Sequence, residues 1–280
     1  MARVASLNML LETTGTDYLA ELYGKVIENV SAGAVSIAIK NQDLSGDPES
    51  GSVEAKRFAN ATAKAYGTAR TAGKGDGVVA RPVPVLVNTD KEIIEELENK
   101  DVRMYGVEGL LERRANNHVQ VMISTLDTAF FAEAVNSGTE FTPTESATVD
   151  QVEETIQAVE STKNAFVDGV PRELISVVCT PKVYGDLRKY LQSTTRQNIV
   201  TGLEDQFYEF NGCKCFKSNH LPADCEFIVM VDGAVAQPVV SDGYQAERVP
   251  QSNAYSLDLF FSYGTKAVTP DLIQYVESGE

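Results

Sequence analysis

Tryptophan is missing altogether, and histidine nearly so: the 280 residues contain no Trp and only His118 and His220. The commonest general base and metal ligand is therefore scarce. Cysteine is sparse as well. Cys179, Cys213, Cys215 and Cys225 in a chain this long argue against a disulfide scaffold and predict free thiols. No apolar run reaches the roughly 18 residues that a bilayer span requires. The opening MARVASLNMLLETTGTDY has no long apolar segment followed by a small-residue cleavage site, which predicts synthesis in the cytosol. Positive charge is also short, with 24 Lys and Arg against 40 Asp and Glu and a net charge of −16. Phosphate binding is driven mainly by Lys and Arg releasing counterions, so this balance opposes specific binding of nucleic acid.

What is present is enough apolar residue, 43%, to build a sizeable core in one large or two ordinary domains. One stretch breaks the acidic pattern. Ala55 to Pro82 carries Lys56, Arg57, Lys64, Arg70, Lys74 and Arg81 against the single acid Asp76. It is rich in Ala, Gly and Thr, and Phe58, Tyr66, Val78 and Val79 are its main bulky apolar side chains, so it can bury little surface of its own. This predicts a basic arm held by an acidic neighbouring subunit. Pro82 and Pro84 make Val78–Val87 the extended return strand of a hairpin, at a sheet edge. Gly73, Gly75 and Gly77 invite a phosphate-loop reading, but the run lacks G-x-x-x-x-G-K-[ST] spacing and precedes a strand. A hairpin tip is the preferred reading.

Elsewhere the periodicity is legible. Residues 1–15 read as an irregular lead-in, and Thr16–Asp17 caps a short amphipathic helix ending near Val30. AVSIAIK, Ala34 to Lys40, reads as β, and Thr89 with Glu92 forms a capping box that predicts a short helix over TDKEIIEELENK. Val107, Leu110, Leu111, His118, Met122, Leu126, Ala129 and Phe130 form a helical stripe, predicting a spine helix over 102–135. After a turn-rich break at 136–146, VDQVEETIQAVESTKNAF predicts a helix, LISVVCT a strand, KVYGDLRKYL a helix and 193–205 a polar loop. FYEF and CKCFKS around Asn211-Gly212 read as a hairpin. The remainder is strand-rich.

Cys213, Cys215, His220 and Cys225 form C-x-C-x4-H-x4-C, close to a zinc knuckle. The one-residue spacing of the first pair is wrong for tetrahedral convergence and right for two thiols on one strand face, so core packing is preferred to metal. His118 on the apolar stripe reads as an interior histidine, and Glu92, Glu95, Glu96 and Glu98 as a solvated helix face.

Taken in order, arm, basic hairpin, spine helix, α/β unit and closing strands resemble the major capsid proteins of tailed double-stranded DNA phages, the Hong Kong 97 type of fold. Val177–Leu191, Phe210–Pro222 and Leu259–Val276 carry the resemblance. It implies an α+β chain divided into an N-terminal arm (1–40), an extended hairpin loop (41–88), a peripheral domain with the spine (89–147), an α/β axial domain (148–248) and a return to the peripheral domain (249–280). It implies a structural subunit forming pentamers and hexamers of an icosahedral shell around packaged double-stranded DNA. No catalytic residue, metal or cofactor is expected. A separate scaffolding protein and a portal protein are implied partners, and the location is the virion capsid, with assembly in the host cytoplasm. Lys56, Arg57, Lys64, Arg70, Lys74 and Arg81 become inter-subunit contacts, and deleting 45–80 is expected to leave a folded core. The alternatives are an encapsulin-like compartment around protein cargo and an α/β small-molecule enzyme.

Overall fold

The computed structural model describes residues 3–67, 76–194 and 207–278. Helix α1 (Thr13–Gly33) starts earlier than its sequence cap suggested and is a full core element. Leu19, Leu22, Val26 and Val30 recur at helical spacing, and all are buried in one cluster with the spine helix and a three-stranded sheet. The amphipathic helix expected to end near Val30 is thus present within the expected arm, with its stripe buried against the spine. Ala34 to Lys40, expected as a strand, holds the short helix α2 (Val35–Ile39). Its first turn is capped from a distance, by the buried Asp127 carboxylate accepting from the Ser36 amide at 2.9 Å and the Val35 amide at 3.3 Å. That partner, nearly a hundred residues away in sequence, supplies what the local sequence lacks.

Strands β1 (Leu44–Ser45), β2 (Ser52–Phe58) and β3 (Ala80–Leu86) form an antiparallel sheet in that order. The hairpin prediction holds here, with proline-bearing β3 at the edge. The predicted helix over 89–100 is instead strand β4 (Thr89–Glu98). A capping box does exist in this region, but it lies at Glu98 and Asp101 and opens the next helix. Tertiary pairing decides the matter: ten successive residues of β4 pair with a later strand, which a helix would forfeit.

The spine is helix α3 (Asn99–Ser137), broken at Gly106, whose φ of 70° and ψ of 172° leave the helical region. That combination is essentially confined to glycine, and a side chain held there costs about 1–3 kcal/mol. From Val107 onward roughly 31 residues extend about 46 Å. The buried stripe serves two cores in succession. Val107, Leu111, Val119, Met122 and Leu126 pack with α1, whereas Phe130, Phe131 and Ala134 cover one face of a second sheet.

That sheet is built from β5 (Thr139–Glu140), β6 (Ile175–Cys179), β7 (Glu209–Phe210), β8 (Cys213–Lys217), β9 (Cys225–Val231) and a last strand, β14 (Ile273–Glu277). The order is β5-β14-β9-β6-β8-β7, with β6 parallel to β8 and antiparallel to β9. Helices α4 (Thr148–Glu160) and α5 (Pro181–Thr194) flank it. Every residue of β6 is buried because Val177 and Cys179 face one cluster and Val178 the other, which explains its unbroken apolar run. Asn211 and Gly212 both take positive φ, the primed turn expected for the β7–β8 hairpin. The helix expected over 149–166 stops at Glu160, and Lys163 bridges Asp168 in a turn.

Between β9 and β14 the chain makes β10 (Val235–Ala236), β11 (Val239–Arg248), β12 (Ala254–Tyr263) and β13 (Lys266–Ala267). The sheet that packs with α1 and the spine has the order β11-β12-β4. Strand β11 pairs with β12, and β14 joins the six-stranded sheet through β9. The crossing is tight at Gly264, where a Cβ would stand 1.8 Å from the Leu86 carbonyl oxygen.

Candidate assembly interface

The hairpin has a root packed on its own chain and a distal part whose described residues are largely exposed. Register places Lys56 opposite Pro82, Arg57 opposite Arg81 and Phe58 opposite Ala80. Alternation then gives the ribbon two faces. On one, Val53, Ala55, Val83 and Val85 pack with Ala236 and Val268. Arg57 continues this face and is clamped: its two terminal nitrogens donate to the two Asp271 oxygens at 2.6 and 2.7 Å, and its guanidinium lies 4.5 Å from the Phe166 ring centre. Asn164 also donates to Asp271, and the Asn60 amide donates to the Ala165 carbonyl at 3.0 Å. Burial by itself would raise the Asp271 carboxyl, but the hydrogen bonds and charge of Arg57 outweigh it and hold the group below its usual range. Arg81 lines the same cavity of about 530 Å³ with Arg57, Phe166 and Asp271.

Beyond the root the ribbon has little to bury against. Phe58 is 55% exposed, Tyr66 92%, Val78 85% and Val79 62%, so its apolar side chains stand in solvent. The six basic residues singled out by sequence consequently separate. Arg57 is engaged by its own chain and Arg81 stands beside it. Lys56 lies on the opposite, outward face, 3.9 Å from Glu54 in a loose pair. Lys64 pairs with Asp76 across the distal ribbon. Arg70 and Lys74, with Gly73 and Gly75, lie outside the described residues. The Arg57–Asp271 clamp was not foreseen; the only sequence trace of it is an arginine at a strand position where its neighbours two residues away are apolar.

No family model matches the sequence, and no curated protein does. Solved structures do. A structure of Mycobacterium phage Che8 superposes with a TM-score of 0.62 at 18% identity, covering 81% of this chain and 84% of that one. The capsid structure of the cyanophage P-SCSP1u gives 0.60 at 13% identity, covering 86% of each chain. A virus-like particle from Pyrococcus furiosus gives 0.59 at 11% identity, covering 93% of this chain and 100% of the other. This chain has the Hong Kong 97 type capsid fold.

Within the capsid fold, the residues that looked chemical in the sequence are distributed through its cores. Cys213 and Cys215 face one side of the axial sheet and Cys225 the other, so the knuckle-like spacing does not converge. All four thiols are buried, and desolvation raises those of Cys213 and Cys225, to about 11 and about 12. His118 is fully buried between the spine and the peripheral sheet. Its Nδ1 lies 2.7 Å from the Tyr244 hydroxyl, and its Nε2 lies 3.2 Å from Glu95 without hydrogen-bond alignment. Glu95 in turn is held by two nitrogens of Arg114. Burial lowers the His118 pKa more than Glu95 raises it, keeping the ring neutral near pH 7. This is an interior histidine, as its place on the stripe implied. Among the described residues no group of three His, Cys, Asp or Glu could hold a metal ion.

Proposed function

We propose that the chain is the structural subunit of an icosahedral shell, built from pentamers and hexamers, that encloses packaged double-stranded DNA. The observation that carries this reading is a ribbon rooted firmly in its own chain yet exposing Phe58, Val78 and Val79, on a fold it shares with capsid structures. Such side chains need a partner surface, and in closed symmetric assemblies the partner is another copy offering a different, complementary patch. Lys56, Lys64, Arg70, Lys74 and Arg81 give the ribbon its positive charge, in a chain whose net charge is −16. The acidic remainder suits an inner wall that does not grip tightly packed DNA. The role is structural, not catalytic. A scaffolding protein and a portal are the further partners this reading implies, with assembly in the host cytoplasm.

The test is negative-stain microscopy of the expressed protein, with and without its scaffold. The distal ribbon, residues 59–79, is the segment to replace by a short turn. A wider cut from 45 to 80 would remove Val53 and Ala55, which are buried in the chain's own core. The variant should remain folded and form no shells; particles persisting in it would remove the ribbon from assembly. Particles holding protein cargo and no nucleic acid would assign the chain to a compartment instead.

A further inference from the structure

The cavity of about 530 Å³ at the root of the ribbon holds one more positive charge than its own walls neutralise. Arg57 and Arg81 are directly opposed on antiparallel β2 and β3, so both side chains leave the ribbon on the same face, and both line the cavity. Asp271 is the one acid among the residues that line it, and both of its oxygens are taken by Arg57. Among the described residues the Arg81 side chain makes no hydrogen bond or ion pair. An exposed arginine is by itself an ordinary solvated charge. What sets this one apart is the fixed guanidinium opposite. The Arg57 side chain is only 13% exposed, gripped end-on by Asp271 and lying 4.5 Å from the Phe166 ring centre, so it is already ordered and costs little more to engage. A guanidinium has five N–H donors, and Asp271 does not exhaust them.

The rest of the wall is apolar or already satisfied. Asn164 spends its amide nitrogen on Asp271 and its oxygen on the Phe166 and Val167 amides, at 2.8 and 3.0 Å, so it fixes the loop that carries Phe166. Val83, Val268 and Pro270 complete the lining. The volume lies within the range of about 300–1,000 Å³ typical of small-ligand sites, which likewise join an apolar wall to a few placed polar groups. We infer that this cavity binds a carboxylate carried on an apolar stem, with the carboxylate between Arg81 and the remaining donors of Arg57 and the stem against Val83, Val268 and Pro270. Two cations set against Asp271 leave a single positive charge, which a monoanion neutralises; a phosphate dianion would leave excess negative charge beside Asp271. A phosphodiester is also a monoanion, but its flanking sugars are polar and this wall is not. An acidic-apolar peptide segment and a free carboxylic acid share the required chemistry. The inference does not depend on the chain forming a shell.

Calorimetric titration of the purified full chain tests it. The probes are 3-phenylpropanoate and a blocked Leu-Asp-Leu peptide, each compared with its uncharged counterpart, 3-phenylpropanamide and blocked Leu-Asn-Leu. At least one carboxylate should bind about tenfold more tightly than its amide. Arg81→Gln should abolish that preference while leaving the melting temperature unchanged, because Arg81 is exposed and unpaired. Tighter binding of the peptide assigns the site to a polypeptide partner, and tighter binding of the free acid assigns it to a small molecule. Phenyl phosphate, a dianion at about pH 8, should bind more weakly than 3-phenylpropanoate. The assignment is overturned if neither carboxylate binds, if acid and amide bind alike, or if Arg81→Gln keeps the wild-type affinity. A wild-type preference for phenyl phosphate would equally remove the carboxylate.

Discussion

Arg57 and Arg81 stand opposite each other on paired strands, where like charges repel. Asp271 resolves the conflict by taking two nitrogens of one of them in a bidentate, charge-assisted contact. Arg57→Ala should therefore lower stability by about 1–3 kcal/mol, because the half-buried carboxylate loses its counter-charge. It should also loosen the ribbon, seen as faster proteolysis between residues 59 and 79. The sign of the pH effect follows from the depressed carboxyl: the stabilisation is present above the unfolded-state pKa of Asp and is lost as the pH falls through the lower, folded-state value. His118 acts at milder acidity. Its folded pKa lies below the ordinary value of about 6.5, so the unfolded chain takes up the proton first and stability falls as the pH drops below about 6.5. Glu95, also depressed, adds to the loss at lower pH. Chemical denaturation between about pH 7.5 and 5 should show this slope in the wild type and a flatter one in His118→Gln.

Two glycines separate backbone conformation from close packing at the level of elements. Gly106 breaks the spine with a positive φ, and a Cβ there would meet nothing within 4 Å. Gly106→Ala should cost about 1–3 kcal/mol from the backbone alone. At Gly264 the added Cβ would collide with the Leu86 carbonyl, so Gly264→Ala should cost more in the same urea titration. The far end of the spine tests a different element pair: Phe130→Ala should lower stability by about 3–5 kcal/mol, since Phe130 is fully buried where α3 covers the axial sheet. Strand β4 illustrates how an element can mislead. Glu, Leu and Lys favour a helix by only tenths of a kcal/mol each, whereas β4 gains a full ladder with β12 and buries Leu97.

Over the whole molecule the main asymmetry is electrostatic, a basic ribbon on a chain of net charge −16. Charge contacts between copies weaken as the Debye length shrinks from about 10 Å at 0.1 M salt to about 3 Å at 1 M. Shell yield, followed by light scattering, should fall several-fold over that range, while the melting temperature of the unassembled chain changes little. A yield independent of salt would assign assembly to apolar contacts alone. The buried clusters on either side of the spine meet through one helix, so a displacement of α3 is felt in both cores.

The sequence by itself determined the elements whose pattern is self-sufficient: the spine stripe, the all-apolar strand β6, the Asn-Gly hairpin, and a basic ribbon too poor in apolar residues to bury itself. Each is set by local periodicity or turn chemistry, which neighbours in the chain decide together. Tertiary structure alone decided the rest. The seating of α1 on the spine, the capping of α2 by Asp127, the strand state of β4 and the clamp on Arg57 all depend on partners more than seventy residues away in sequence. It also separated the ribbon's basic residues, turning Arg57 toward its own chain and Lys56 away from it, because strand alternation assigns a face only once the register is known.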